Sequence, residues 1–209
     1  MPDLRADLIA TARALQPAGL NKGTAGNVSV RDGDGFLITP TGLPYDTLAP
    51  DDIPRMVLDG SHTGRRQPSS EWRFHRDLYA ARPKVGAVLH AHSPFAVSLA
   101  CLRRGIPPFH YMIARFGGGT IRCADYAIFG SAELSTAAMQ AMAGRKGCLL
   151  ANHGLLVAGR DLTEAFALAV ELEELCEQYW RACQLDHPVL LTPGEMRAVL
   201  ERFRGYGQQ

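Results

Sequence analysis

The sequence predicts an α/β domain of three layers, in which a central, mainly antiparallel sheet is flanked by helices. One observation is a hairpin pattern, since NVSV alternates polar and apolar residues, RDGDG predicts a turn, and FLIT continues as a second strand. Two further apolar runs, in GCLLANHGLLVAG, are broken at residues 152–154. Helical patterns lie between these strands, and such helices cover the faces of a sheet. No repeat or linker interrupts the pattern, so residues 1–209 are expected to form one domain.

The first part of the chain begins and ends with a helical pattern. In order, the sequence predicts a helix over residues 4–15, the hairpin over 27–39, a loop over 40–53, a strand and turn over 56–64, and a helix over 69–82. Pro17 and Gly19 stop the first helix, because neither residue continues a helix readily. Ser69 or Ser70 can cap the second helix with a side-chain oxygen.

The remaining elements follow the same alternation. The sequence predicts a strand over residues 85–91, a helix over about 94–104, strand-like pieces around 109–113 and 120–124, a helix over 132–142, the two apolar runs, a helix over about 161–183, and a final helix from residue 193. Pro94 and Pro193 are well placed in the first turn of their helices, and Thr192 caps the last one. The long helix is apolar on more than one face, so we also expect it to form an interface.

The composition is that of an ordinary soluble globular protein, with 46% hydrophobic and 21% charged residues. A formal net charge of +1 gives no reason to expect a nucleic acid or a membrane surface as a partner. No apolar run approaches the roughly 20 residues of a membrane span, and the charged N-terminal helix is unlike a signal peptide. The five cysteines form no CxxC pair, so buried, reduced thiols in a cytoplasmic protein are expected.

Two histidines stand at the end of the buried strand in KVGAVLHAHSPF. His90 and His92 are two residues apart, so their rings project from the same face of a strand. His153 lies in the break between the two later apolar runs. Three neutral imidazoles with one open position are the usual ligands of a catalytic zinc ion. The alternative is that these are cleft histidines bonded to the backbone, and the pattern alone leaves both interpretations open.

Three stretches rich in small residues have the character of anion-binding loops. NKGTAGN and TPTG can expose backbone N–H groups and hydroxyls, and SSE places hydroxyls and free amides at a helix N-terminus. The candidate residues are Thr24, Gly26, Asn27, Thr41, Gly42, Ser69 and Ser70. They can equally be simple turns and a cap, and none has the spacing of a nucleotide-binding motif. Glu71 beside them is either an ordinary acid in a first turn or a carboxylate positioned for proton abstraction.

Taken together, GLNKGTAGNVSVR, FLITPTGLPYD, QPSSEWRFH, VLHAHSP, HYMIA, YAIFG and NHGLLV resemble the class II aldolase/adducin-head family, from about residue 19 to the C-terminal FRGYG. The resemblance implies a zinc-dependent enzyme with one Zn²⁺ per subunit. It also implies a four-fold symmetric homotetramer whose active sites lie between subunits. The reaction implied is reversible cleavage of a ketose 1-phosphate to dihydroxyacetone phosphate and a short aldehyde. L-fuculose 1-phosphate, a 5-deoxy- or 5-methylthio-ketose 1-phosphate and a sugar-acid phosphate remain open as substrates.

The same resemblance assigns roles by position. His90, His92 and His153 match zinc ligands, and Glu71 matches the acid/base that also closes the coordination when substrate is absent. The seven candidate anion-binding residues match the phosphate loops. On the aldehyde side, the matches are Tyr111, which reaches into the neighbouring subunit's site, Phe129, an aromatic there, and Tyr206, in a C-terminal tail that covers the substrate.

Three alternatives to aldol cleavage remain. Sibling chemistry on the same scaffold includes a 4-epimerase, a methylthioribulose-1-phosphate dehydratase and a sugar-acid phosphate decarboxylase. Glu71 favours cleavage, since the epimerases carry an aspartate at its position. A non-enzymatic adducin-like interaction module has no need of the histidines, and a hydrolase would want more carboxylates near the metal. A Schiff-base mechanism is disfavoured because Lys22, Lys84 and Lys146 are the only lysines, and none lies in an apolar stretch.

Overall fold

The computed structural model describes residues 3–204. The helices are α1 Leu4–Ala14, α2 Trp72–Ala81, α3 Pro94–Cys101, α4 Ala132–Ala141, α5 Leu162–Leu185 and α6 Pro193–Arg204. The strands are β1 Asn27–Asp32, β2 Gly35–Ile38, β3 Arg55–Val57, β4 His62–Thr63, β5 Ala87–Ala91, β6 Arg122–Ala124, β7 Gly147–Leu150 and β8 Gly154–Gly159. Short 3₁₀ helices cover Tyr45–Thr47, Pro50–Asp52 and Tyr111–Phe116. Within the described range, no helix combines the length and apolar character needed to cross a bilayer.

The strands form one sheet in the order β4-β3-β2-β1-β5-β8-β7-β6. Every neighbouring pair is antiparallel except β6 and β7, which run parallel. The predicted central, mainly antiparallel sheet is therefore confirmed. The register matters for the site, because Asn27 on β1 lies opposite His90 on β5, and His90 lies opposite Leu156 on β8.

Apolar clusters on the two faces of the sheet make the three layers. Leu89 of β5 packs into a cluster with residues of α1, α3 and α5, whereas the adjacent Val88 packs with residues of α2 and α4. Alternate side chains of a strand point to opposite faces, so His90 projects towards the α2 side. It contacts Phe74 of α2 edge-on, with 5.6 Å between ring centroids. The histidine thus lies between the sheet and α2.

Three local predictions are wrong. The piece around 109–113 is not a strand, because the His110 ring accepts a hydrogen bond from the Met112 N–H and the backbone enters a 3₁₀ helix that ends at Gly117, with φ of 84°. Helix α3 ends at Cys101 rather than near residue 104, since Arg103 adopts a left-handed φ of 53°. Neither Ser69 nor Ser70 caps α2; Glu71 occupies that position and makes no capping hydrogen bond through its side chain.

Two further predictions concern the last two helices, the cap of α6 and the interface on α5. Thr192 caps α6, as its hydroxyl accepts from the Glu195 N–H at 3.2 Å and its own N–H donates to the Glu195 carboxylate at 2.7 Å. Helix α5 exposes Trp180 and Leu185 near its C-terminus, so its role as an interface helix stays a prediction.

The expectation of buried thiols holds for only part of the set. Cys148 and Cys176 are buried, Cys123 is half-buried, and Cys101 and Cys183 are exposed near helix ends. Burial raises the pKa of the Cys123 thiol to about 11, and it raises the pKa of the Cys148 thiol further in the same direction. Cys148 and Cys176, the two buried thiols, therefore pack as unreactive apolar side chains.

Candidate metal and phosphate site

Three imidazoles and one carboxylate converge at the end of β5. The Nε2 atoms of His90 and His92 lie 2.9 Å apart. Glu71 Oε2 lies 3.3 Å from His90 Nε2, and Glu71 Oε1 lies 3.2 Å from His153 Nε2. One nitrogen or oxygen from each of the four residues falls within 4.8 Å of all the others. The structure therefore brings together the four residues that the sequence singles out as ligands.

Backbone contacts orient the first two rings. The Nδ1–H of His90 donates to the Leu155 carbonyl of β8 at 2.7 Å, which fixes the tautomer and turns an unprotonated Nε2 towards the cluster. His92 follows the last residue of β5, and its backbone N–H donates to the Asn21 side-chain oxygen at 2.9 Å. The loop before β1 thus fixes the second imidazole, a role that the sequence analysis did not assign to Asn21.

The third ring is presented by a tight turn between β7 and β8. Asn152 has a positive φ of 55°, which asparagine tolerates better than most residues. Its N–H donates to the Ala100 carbonyl at 3.0 Å, and its side-chain oxygen accepts from Arg103 Nε at 2.8 Å. The end of α3 therefore holds the turn that carries His153.

All three rings are neutral at physiological pH. Burial lowers the pKa of His90 to about 3, with a contribution from neighbouring His92, and burial also lowers the pKa of His92. The pKa of His153 falls to about 4, first through burial and then through the nearby His90 ring. Metal ligation requires the neutral imidazole, so this environment keeps the rings in the binding form.

The residues present fit a divalent metal ion. The Glu71 side chain is buried, and its Oε1 atom has no hydrogen-bond partner. Leaving a buried carboxylate oxygen without a partner is costly, and a cation shared with the imidazoles removes that cost. Three imidazole nitrogens with a carboxylate oxygen form a set of ligands that zinc accepts.

A cavity of about 160 Å³ adjoins three of the four residues, Glu71, His92 and His153. It is lined by all seven of the predicted anion-binding residues, Thr24, Gly26, Asn27, Thr41, Gly42, Ser69 and Ser70. Neither lysine nor arginine belongs to its lining among the described residues. An anion in this cavity would therefore be held by neutral N–H and O–H donors, and positive charge would have to come from a metal at the histidines.

Close packing of three loops shapes this cavity. Gly26 has a φ of +77°, and a Cβ added there would meet the His90 carbonyl oxygen at 2.6 Å, so only glycine lets the loop pass this close to β5. The Tyr45 hydroxyl donates to the Gly26 carbonyl at 2.8 Å. The Ser69 N–H donates to the Thr39 carbonyl at 3.0 Å, which joins the loop before α2 to the end of β2.

The aldehyde-side residues are distributed unevenly. Phe129 lines the cavity of its own chain and is 67% exposed, in a loop that Arg73 holds through the Gly130 carbonyl at 2.6 Å. Tyr111 is half exposed and lines a separate cavity of about 1050 Å³ beside α5 and α6. Within one chain the structure does not bring it to the histidines. Tyr206 lies outside the described residues.

Sequence analysis missed the hydrogen bonds behind Glu71. Asn27 donates from Nδ2 to Glu71 Oε2 at 2.9 Å, and its Oδ1 atom contacts His75 Nε2 at 2.5 Å. Behind the ring, the Ser29 hydroxyl contacts His75 Nδ1 at 2.7 Å. A signal was present, because His75 lies one helical turn after Glu71 and Ser29 shares a strand face with Asn27.

The chain belongs to the family described as class II aldolase and adducin N-terminal domain, whose sequence model matches residues 6–180. Its relatives within that family are named as aldolases, and aldolases are lyases, so the prediction of an enzyme of this class is confirmed.

Two curated relatives and one solved structure define the similarity further. A 5-methylthioribulose-1-phosphate/5-deoxyribulose-1-phosphate aldolase of Rhodospirillum rubrum is 57% identical over 98% of this chain and 92% of its own. An L-fuculose phosphate aldolase of Escherichia coli K12 is 44% identical over 98% of this chain and 95% of its own. A solved L-fuculose 1-phosphate aldolase superimposes with a TM-score of 0.94 at 39% identity, covering 98% of this chain and 97% of that one. The predicted resemblance to the class II aldolase/adducin-head family is thereby confirmed.

Proposed function

We propose that this protein is a zinc-dependent aldolase that reversibly cleaves a ketose 1-phosphate to dihydroxyacetone phosphate and a short aldehyde. We place it in the cytoplasm, as a homotetramer with one Zn²⁺ per subunit. The observation that carries the proposal is the convergence of three neutral imidazoles on a buried carboxylate with one unpartnered oxygen, beside a cavity lined by neutral anion donors. No other arrangement among the described residues combines these features with the family's chemistry.

Each group has a task in this reaction. The cavity residues would hold the 1-phosphate and so fix the reacting carbons opposite the histidines. A bound divalent ion supplies Lewis-acid stabilisation of the negative charge that develops on the ketone oxygen. Glu71 removes a proton from C3 of dihydroxyacetone phosphate in the synthetic direction and returns one in cleavage. Its unpartnered Oε1 atom is available for this transfer.

The aldehyde side would be completed from elsewhere. Tyr111 of a neighbouring subunit would donate a hydrogen bond to the aldehyde oxygen, and the tail with Tyr206 would cover the substrate. Phe129 offers an exposed aromatic face at the cavity, suited to a methyl or methylthio end group. Such a face suits the terminal methyl of L-fuculose 1-phosphate as well, so the preference for a 5-methylthio- or 5-deoxy-ketose 1-phosphate rests on the higher identity to the Rhodospirillum rubrum relative.

The test is a panel of these ketose 1-phosphates, with release of dihydroxyacetone phosphate followed by a coupled glycerol-3-phosphate dehydrogenase assay. Glu71→Gln should keep most of the zinc and lower kcat by a factor on the order of 10² to 10⁴, the usual share of an acid/base group. His62→Gln changes an exposed histidine on β4 and should match the wild type. A dehydrated ketone or an epimer as product, or unchanged turnover in Glu71→Gln, would contradict the proposal.

A further inference from the structure

A buried chain of side-chain hydrogen bonds runs from Glu71 into the interior on the α2 side of the sheet. It passes through Asn27 and Ser29 of β1 and through His75 and Tyr79 of α2. Tyr79 is 1% exposed, Asn27 is 2% exposed, and Ser29 and His75 have no exposed surface. The contacts are 2.9 Å, 2.5 Å, 2.7 Å and 2.8 Å in order from Glu71 to the Tyr79 hydroxyl.

The direction of donation along this chain is fixed by its chemistry. The Glu71 carboxylate accepts, so the Asn27 amide must turn its nitrogen towards Oε2 and its oxygen towards His75. An amide oxygen only accepts, so His75 carries its proton on Nε2. The ring is neutral, since burial holds the pKa of His75 well below its ordinary value.

The second ring nitrogen then determines the rest of the chain. A neutral ring protonated on Nε2 has an unprotonated Nδ1, which accepts a hydrogen bond from the Ser29 hydroxyl. The Ser29 oxygen in turn accepts from the Tyr79 hydroxyl. In each of these hydrogen bonds the donor therefore lies on the Tyr79 side and the acceptor on the Glu71 side. Reversing the Asn27 amide would leave a buried group without a hydrogen-bond partner.

We propose that His75 is a positioning residue for Glu71: with Ser29 and Tyr79 behind it, His75 locks the orientation of the Asn27 amide, which holds Oε2 of Glu71 and leaves Oε1 free. The inference rests on the proposed role of Glu71 in proton transfer. Asn27 interrupts any path for protons, because an amide donates from nitrogen and accepts at oxygen without passing the proton on. The chain therefore acts through geometry, by keeping one carboxylate oxygen bonded and the other directed at the histidines.

Steady-state kinetics of the zinc-loaded enzyme separate positioning from simple packing. His75→Gln should lower kcat by about 10- to 100-fold, the range found when an outer partner of a metal site is removed, with KM and zinc content unchanged. Ser29→Ala and Tyr79→Phe should lower kcat by less, and His62→Gln should not change it. Wild-type kcat in His75→Gln, or a loss that matches only a smaller folded and zinc-loaded fraction, overturns the inference.

The tautomer gives a readout that needs no fully active variant. In zinc-loaded wild-type protein labelled with ¹⁵N-histidine, long-range ¹H–¹⁵N correlation spectra should show the His75 ring protonated only on Nε2. The resonances of this ring should shift in Tyr79→Phe. A proton on Nδ1 of that ring, or a doubly protonated ring, overturns the inference. If the wild type cleaves no ketose 1-phosphate, the proposed function fails. The tautomer of His75 then still tests whether the hydrogen bonds from Glu71 to Tyr79 run as inferred. If Glu71→Gln is inactive and His75→Gln is not impaired, the positioning role alone fails.

Discussion

The two oxygens of the Glu71 carboxylate have different surroundings, and this asymmetry defines what the residue can do. Oε2 accepts from Asn27, whereas Oε1 faces the histidines without a donor. A carboxylate bonded through both oxygens would be held in its charged form and would be a poor base. One with a single bonded oxygen keeps a lone pair for a metal ion or a substrate proton.

The buried histidines make the metal-free protein sensitive to acid. The pKa of His90 is about 3 and that of His153 about 4 in the folded protein, against an ordinary value of 6.5 in the unfolded chain. Below pH 6.5 the unfolded chain binds protons that the folded protein does not, so the free energy of unfolding falls as pH drops from 6.5 towards 4. Urea denaturation in the presence of a chelator, repeated across this range, measures the slope.

Two variants test whether the buried histidines cause this pH dependence of the free energy of unfolding. His90→Gln removes one of the titrating groups and should flatten the dependence, and His62→Gln, at an exposed histidine on β4, is the matched control. Saturating zinc should raise stability most near neutral pH, where the imidazoles are free to bind it. A free energy of unfolding that stays level between pH 6.5 and 4 in the metal-free protein would show that the rings are not held neutral by the fold.

Among the elements, α5 supports the candidate metal site from a distance. Its Glu173 carboxylate accepts from the Phe95 and Ala96 N–H groups at 2.8 Å and from the Ser93 hydroxyl at 2.6 Å. These groups begin α3, immediately after the proposed ligand His92. A carboxylate at a helix N-terminus accepts from backbone N–H groups that have no partner within the helix. It also interacts favourably with the positive end of the helix dipole.

Removing this carboxylate should therefore affect stability and metal affinity together. Glu173→Ala is expected to lower the free energy of unfolding by about 2 kcal/mol, the value of hydrogen bonds to a charged group. It should also weaken zinc binding in a chelator competition assay, because His92 loses its anchored neighbour. Glu174→Ala, on the exposed side of the same helix, is the matched control. Equal effects in the two variants would rule out the contact with α3 as the cause.

The sequence was informative where the pattern is local. HxH on a strand, small residues in turns and the Thr192 cap each depend on neighbours along the chain, and all lie as predicted. The hydrogen bonds behind Glu71 were harder to predict, since they join β1 to α2 across 44 to 50 residues and only the local spacings on each element indicated them. The piece around 109–113 failed for the opposite reason: its apolar and aromatic residues favour a strand, but capping by the His110 ring and the turn at Gly117 favour a 3₁₀ helix.

At the scale of the whole molecule, one chain supplies an incomplete set of groups for the proposed reaction. The proposed ligands, the candidate anion cavity and Phe129 lie together, while Tyr111 lines another cavity on the same chain. If Tyr111 acts on the aldehyde oxygen, as proposed, its hydroxyl would have to come from a second copy of the chain. Tyr111 is 50% exposed on a short 3₁₀ helix, so its side chain is accessible to a second copy.

Mixed oligomers test this directly. Glu71→Gln and Tyr111→Phe subunits should each form nearly inactive homo-oligomers, since each lacks one group of every site. Co-expressed and purified through two different tags, the mixed oligomers should recover cleavage activity, because some sites combine an intact Glu71 from one subunit with an intact Tyr111 from its neighbour. Mixing Glu71→Gln with His153→Gln subunits provides the matched control: both defects fall on groups of the same chain, so no intact site can form. If the first pair gains no activity over its parents, Tyr111 does not act across the boundary.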